Sequence, residues 1–507
     1  MADVQHALAG AGAVVTPPRG DSRAETKSAP RAGKRERRGL KPKAVPHPTV
    51  AERAATGKAA RAIAPRSGQG EWEPASDRRD PVELLEEQAA SRVPDLVPIR
   101  YGRMLVSPFT FFRGAAYPMA ADLAGAARTG LEVQLCGDAH LSNFGAFAGP
   151  DRRLMFSIND FDETLPGPFE WDVKRLVASF AVAGRDRGFD AKQRRSINRA
   201  VTRSYREAIR GFAAMSNLDL WYSRIEVDEI AALVAREESG KQRKRFERNL
   251  AKARSKDSLR ALSKLTTAVD GEPRIVSDPP LIVPVEELVS GVEQVEFEEF
   301  VQGVIRSYRR TLSADRRRLL ERFRYVHAAH KVVGVGSVGA RAWIVLMLGR
   351  DENDPLFLQL KEAQASVLEP FLGKSAFAKH GQRVVEGQRL TQAASDIMLG
   401  WVQGTALDGV NRDFYVRQLW DGKGSAMVEL MSPQAMNFYA KLCGHTLAKA
   451  HARSGDATAI ASYLGAGDPF DRALASFAEA YADQNERDYH SLQEAVASGR
   501  VAAETGL

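Results

Sequence analysis

The chain has 507 residues, 44% of them hydrophobic and 27% charged, which suits a soluble globular protein of two or three domain-sized units. Residues 1–80 hold 16 Lys or Arg against 9 Asp or Glu, while the other 427 hold 56 against 55, so +7 of the net charge of +8 belongs to a tail. No run of eighteen apolar residues predicts a membrane span, and the start Met1-Ala2-Asp3-Val4 makes a poor secretory signal. Two cysteines, Cys136 and Cys443, argue against a disulfide framework and fit a reducing cytoplasm.

Residues 1–80, rich in Ala, Pro, Gly, Arg and Lys, read as a disordered basic tail. Its charge is the one asset that could touch nucleic acid or an acidic partner, but no aromatic interleaving offers base stacking, and a solubilising extension is the preferred reading. From Pro81 the pattern becomes structured. Leu131–Cys136 and Leu154–Ile158 read as buried strands, and Trp171–Arg185 and Ala191–Met215 as helices. Residues 241–265 carry ten Lys or Arg against Glu247 and Asp257, a solvated helix face or a surface for phosphate or acids. Val304 to His330 reads as helical. Val332–Gly336, Ala342–Leu348 and Leu356–Leu360 alternate with turns as an antiparallel meander. A helix is expected near Phe377–Leu399, strands at Leu399–Gln403 and Phe414–Leu419, and a helix after Pro433, where Met436, Ala440, Cys443, Leu447 and Ala450 step by three and four.

The tightest chemical pattern is Gly137-Asp138-Ala139-His140-Leu141-Ser142-Asn143, followed by Ile158-Asn159-Asp160-Phe161-Asp162. A strand leads into the first segment, and a strand–turn–strand return brings Asp160 back beside it, seventeen residues after Asn143. Asp138 is placed to orient an acceptor hydroxyl, with Asn143, Asp160 and Asp162 offering hard oxygen to Mg²⁺ against the phosphates of ATP. His140 lies inside the loop, where a bracing hydrogen bond suits it better than a base's role. Gly334-Val335-Gly336-Ser337-Val338-Gly339 lies between two strands, so it suits a flap over a triphosphate better than a dinucleotide site, which needs a helix right after the glycines. Lys361 ends the strand after that. Glu386 is the candidate carboxylate to aim it, with Glu369 second, and Arg417-Gln418-Leu419-Trp420 the candidate hinge at the base.

The Gly-Asp-x-His-x-x-Asn loop and the later Asp-Phe resemble the catalytic segment of aminoglycoside phosphotransferases and, more distantly, protein kinases. That resemblance implies that Asp138 is the catalytic base, that Asn143 and Asp160 hold metal, that Lys361 grips the α- and β-phosphates, and that Asp172 braces the loop. One departure is visible: the His that usually precedes Gly-Asp is Cys136 here. Residues 95–490 also resemble the bacterial domain-of-unknown-function 2252 family through Arg113-Gly114, Cys136–Gly145, Asn159–Glu163, Val333–Gly339, Gln359–Ala363, Arg383–Gln388 and His451–Gly455.

The kinase-like parts occur in rotated order, with the catalytic loop before the glycine loop. The expectation is therefore an α+β, two-lobed, kinase-like fold that is circularly permuted. After the tail, residues 81–325 would carry the catalytic loop and the helices of the large lobe, 326–432 the nucleotide-binding β lobe, and 433–507 helices completing the large lobe. The implied activity is phosphoryl transfer from Mg-ATP to a hydroxyl of a small molecule or protein. A nucleotide-binding pseudokinase and an AMP transferase with ATP reversed are the alternatives, and the acceptor stays unidentified.

Overall fold

Buried apolar periodicity gathers the α+β chain around the helix Phe169–Asp186, of which all but the last two residues are buried. The computed structural model describes residues 46–506, apart from 238–239, 289–293, 333, 337, 406–409 and 420–421. Pro48–Leu507 forms one compact unit. Helices Ala191–Ala213, Pro433–Ser454 and Pro469–Ala497 pack around the central one, and Phe169, Phe180, Tyr205, Leu447 and Phe477 share their core. Local chemistry sets the helix starts: Asp190 and Gln193 form a capping box, while Ser432 accepts from the Ala435 amide ahead of Pro433 at the first helical position.

The strands follow in chain order. Strand β1 (Glu132–Leu135) pairs antiparallel with β4 (Leu165–Pro168), and between them β2 (Phe144–Ala148) pairs with β3 (Leu154–Ile158). A hairpin of β5 (Thr266–Val269) and β6 (Glu272–Ile275) comes next. Then β7 (Ile282–Pro284), β8 (Arg324–Lys331), β9 (Ala342–Leu348), β10 (Pro355–Ala363), β11 (Gly400–Thr405) and β12 (Asn411–Gln418) form an antiparallel sheet in the order β11-β12-β10-β9-β8-β7. Strand β13 (Gly424–Ser425) leaves that sheet to join β2. Strand alternation divides the core of the six-stranded sheet. Val345, Leu358 and Val416 meet Tyr308 and Leu312 on one face, while Ile344, Leu346 and Phe357 meet Ala261 and Leu265 on the other.

Several expectations are corrected. The tail does not reach residue 80, since Val50–Ile63 is a helix started by a Thr49–Glu52 capping box. It lies on the helix Ala457–Leu464 so closely that a Cβ on Gly57 would stand 1.9 Å from the Ala459 carbonyl oxygen. Composition hid this because small residues, not large apolar ones, make the contact. The disorder expected for residues 1–45 lies outside the described residues. Val304–His330 is not one helix: helices end at Arg309 and Leu320, and Arg324–Lys331 is β8, drawn into the sheet by β9. Of the strand expected at Val332–Gly336, the described residues Val332 and Gly334–Gly336 lie in no strand, because β8 ends at Lys331. The boundary at residue 325 also moves, since Ser258–Leu265, β7 and Gln294–Arg309 pack with the sheet.

Candidate functional site

Between β1 and the short turn Leu141–Asn143 the chain bends at Gly137, whose φ of +82° leaves no room for a side chain: a Cβ would meet the Glu163 carbonyl at 2.3 Å. Buried Asp172, in the first turn of Phe169–Asp186, accepts the amides of Cys136 (2.8 Å) and Gly137 (3.1 Å). His451 on Pro433–Ser454 lies 3.2 Å from the same carboxylate, and the Tyr205 hydroxyl is 2.8 Å from its other ring nitrogen. From that helix the Tyr439 hydroxyl also reaches the carbonyls of Leu141 and Phe144 at 2.8 and 3.0 Å. The loop therefore rests on a C-terminal helix some three hundred residues away in sequence.

Asp138 points into a cleft. Its Oδ1 accepts from Nε and Nη2 of Arg175, both at 2.9 Å, and Arg175 is held by the Phe112 carbonyl and ring. Burial raises the carboxyl pKa of Asp138, with Arg175 opposing. His140 is buried and its pKa is pushed well down by that burial, so the ring is neutral. Its Nδ1 accepts the Ser142 amide at 3.2 Å, which leaves the proton on Nε2, 3.7 Å from Asp138 Oδ2. Asn143 donates its amide to the Asp138 carbonyl (2.8 Å), and its own carbonyl accepts from Asn159, which sets Asp160 beside it.

Lys361 comes to this loop from β10, some two hundred residues later in the chain. Its ammonium contacts Asp162 and lies 3.8 Å from Asp160 Oδ2. Burial alone would lower its pKa, yet the two carboxylates raise it, so it is held as a cation. Asp160 answers in kind: burial pushes its carboxyl up, but Lys361 and Arg417 outweigh that and hold it below the usual range. Asp162 was expected among the metal ligands, but one oxygen meets Lys361 and the other accepts the Tyr415 hydroxyl at 2.9 Å. Glu386 does not aim the lysine, because it pairs with Arg389 at 3.2 Å, and Glu369 lies by His380. The helix His380–Thr391 is tied to the loop by Arg383 instead, which donates to the carbonyls of Asp162, Thr164 and Gln364, each at 2.7 Å. A cation beats a carboxylate there because the groups facing the helix are backbone oxygens.

The glycine loop joins β8 to β9 as expected, with Ser337 outside the described residues. Gly334 and Gly336 line the cleft, and Gly336 lies close to the Arg113 carbonyl. Gly339 turns away: its carbonyl accepts the Val93 amide at 2.9 Å, and Arg103 clamps the Gly334 carbonyl at 2.6 Å.

Two cavities meet at Asp160 and Gly334. The larger, about 970 Å³, is lined by Asp138, His140, Asn143, Arg113, Tyr117 and Glu163 among others. Burial, against the pull of Arg383, raises Glu163 to about 7. The smaller, about 380 Å³, runs to the expected hinge: Arg417, Gln418 and Leu419 line it, with Lys256, Lys331, Lys361 and Lys423, while Trp420 lies outside the described residues. The charge of Arg417, then burial, pulls Lys423 down to about 7. Among the described residues no three His, Cys, Asp or Glu form a metal cluster.

Sequence reasoning missed Arg175 and Lys423, which carry no motif of their own. Lys256 left a trace in the basic run of 241–265. The structure puts it in the turn between the helices Lys241–Arg254 and Ser258–Leu265, facing the smaller cavity.

A family model described as an uncharacterised protein conserved in bacteria, DUF2252, matches residues 92–495. The chain belongs to the DUF2252 family. The match spans the Asp138 loop, the glycine loop and Lys361, and of the larger cavity's lining it leaves out Glu87, Gln88, Ala90 and Ser91. No curated protein and no solved structure matches this DUF2252 chain. Among the described residues no helix is long and apolar enough to cross a membrane.

Proposed function

We propose that this DUF2252 protein is a kinase-like phosphotransferase, a circularly permuted two-lobed enzyme. It would bind Mg-ATP in the cleft and pass a phosphorus-centred group to a hydroxyl of an unidentified acceptor. The observation that carries this reading is the meeting of Asp138, Asp160 and Lys361 in one cleft, under the glycines that join β8 to β9. The Pro433–Ser454 helix beneath the Asp138 loop stands where a kinase has the helix leading into that loop, which supports the permutation.

The residues of the cleft fit magnesium. Asp160 stays ionised and faces both cavities, and Asn143, having spent its amide on the Asp138 carbonyl, keeps its side-chain oxygen to offer. Two such oxygens suit Mg²⁺, which keeps waters and substrate phosphates, and no larger carboxylate cage is needed. Bound there, magnesium would neutralise phosphate charge. Lys361 would position phosphate oxygens from β10. Asp138 would accept the acceptor's hydroxyl proton, its carboxylate aimed by Arg175 and by the neutral His140.

Thermal-shift titration of the full chain tests the reading. Mg-ATP is expected to raise the melting temperature progressively with concentration, as mass action requires. The absence of any shift at millimolar Mg-ATP, with the protein folded, would refute it.

A further inference from the structure

The smaller cavity is the wrong lining for adenine. A base needs an apolar slot with a few placed polar groups. Here the space between β10, β12 and the β2–β3 hairpin offers Phe147, Ala148 and Leu419, and beyond them Lys256, Lys331, Lys361, Arg417 and Lys423 against two carboxylates, Asp160 and Asp396. No ion pair joins Lys256, Lys331 or Lys423 to a carboxylate among the described residues. Arg417 spends hydrogen bonds on the Asn159 carbonyl (3.0 Å) and on Gln359 (3.2 Å), which pin its guanidinium at the cavity wall. Gln359 itself stands two residues before Lys361 on β10, pointing a polar amide into the same space. Five cations facing two carboxylates, three of the lysines without an ion pair of their own, are an excess of positive charge that a polyphosphate completes.

We infer that ATP runs through the cleft with its β- and γ-phosphates in the cavity of Lys256, Lys361, Arg417 and Lys423 and its nucleoside in the larger cavity, so that the α-phosphorus is presented to Asp138. This rests on the reading of the cleft as a Mg-ATP site and adds to it the direction of the nucleotide. The two cavities join at Asp160, so a triphosphate whose tail fills the smaller one has its α-phosphate at the junction, next to the Asp138 loop. The larger cavity has room for nucleoside and acceptor together, with Tyr117, Val335 and Pro370 among its apolar walls. The reaction is then nucleotidyl transfer. The acceptor's hydroxyl oxygen forms a bond to the α-phosphorus, and the bond from that phosphorus to the α,β-bridging oxygen breaks. Pyrophosphate leaves with the bonding pair, and the hydroxyl proton goes to Asp138. The product is an AMP ester of the acceptor.

Calorimetric titration of the full chain with Mg²⁺ and four probes tests the direction: ATP, N6-benzyl-ATP, ATP carrying a bulky group on its γ-phosphate, and inorganic tripolyphosphate. N6-benzyl-ATP is expected to bind like ATP, while the γ-capped analogue binds at least about tenfold more weakly, the cost of a buried charge-assisted contact. Lys423→Glu and Lys256→Glu should each weaken ATP and tripolyphosphate together by at least about tenfold. The two lysines sit on different segments, so a variant that fails to fold leaves the other to report. With cell extract, label from the α-phosphorus should appear on an acceptor, and label from the γ-phosphorus in pyrophosphate. The reverse pattern overturns the direction and leaves the phosphotransferase reading standing: N6-benzyl-ATP excluded, γ-capped ATP accepted, both charge reversals silent. A wild-type chain that binds no ATP at all overturns both.

Discussion

Replacing Asp172 is expected to unseat the Asp138 loop. This carboxylate is 1% exposed and accepts two backbone amides, Cys136 at 2.8 Å and Gly137 at 3.1 Å, while facing His451 at 3.2 Å. A hydrogen bond to a charged acceptor contributes about 1.5–3 kcal/mol, so Asp172→Ala strands two donors at a combined cost of about 3–6 kcal/mol. Removal of a buried charge returns part of its desolvation, which places the expected value near the lower end, about 3 kcal/mol. Asp172→Asn keeps one acceptor oxygen and should lose about half as much. Urea unfolding followed by tryptophan fluorescence measures the loss, since Trp171 is the neighbouring residue. Amide exchange at Cys136 and Gly137 should accelerate in step with it. A loss below about 1 kcal/mol for Asp172→Ala, with both amides still protected, would refute the claim that this carboxylate holds the loop.

Gly57→Ala should destabilise the body by about 1–3 kcal/mol, because its methyl must displace the Ala459 carbonyl; an unchanged melting temperature would show that Val50–Ile63 is not docked. Glu163, whose pKa rises from 4.5 to about 7 on folding, binds more protons folded than unfolded across that interval. Its contribution therefore falls as pH climbs from about 4.5 to 7, and Glu163→Gln should flatten that part of the stability profile and exceed wild type above pH 7, as denaturation at a series of pH values will report. Lys449 is buried, and that burial depresses its ammonium to about 8. Lys449→Met should raise stability by about 1–3 kcal/mol at pH 7, with the gain shrinking as pH rises from about 8 towards 10.5, where the unfolded lysine also loses its proton. A variant less stable than wild type at pH 7 would contradict this.

Local chemistry determined the parts of this protein that depend on near neighbours. Leu154–Ile158 announces itself as a strand by its apolar run between turns, and Pro433–Ser454 by its three–four spacing and its Ser-Pro start. The loop of Asp138, His140 and Asn143, with Asp160 returning beside it, was legible because a strand, a turn and a strand join its pieces within some twenty residues. What sequence could not assign was partnership across the chain. Lys361 takes Asp162 and Asp160 rather than Glu386, and the helix that should have supplied a carboxylate supplies Arg383 to backbone oxygens. Arg324–Lys331 reads as the end of a helix until β9 offers it a hydrogen-bonded edge. Val50–Ile63 looks like tail because its anchor is a glycine against a backbone. The cations of the smaller cavity come from residues 256, 331, 361, 417 and 423, each ordinary in its own segment. Their shared cavity exists only once the sheet and the β2–β3 hairpin close on each other, since a charge has no address in sequence and its energy depends on what stands within a few ångströms of it.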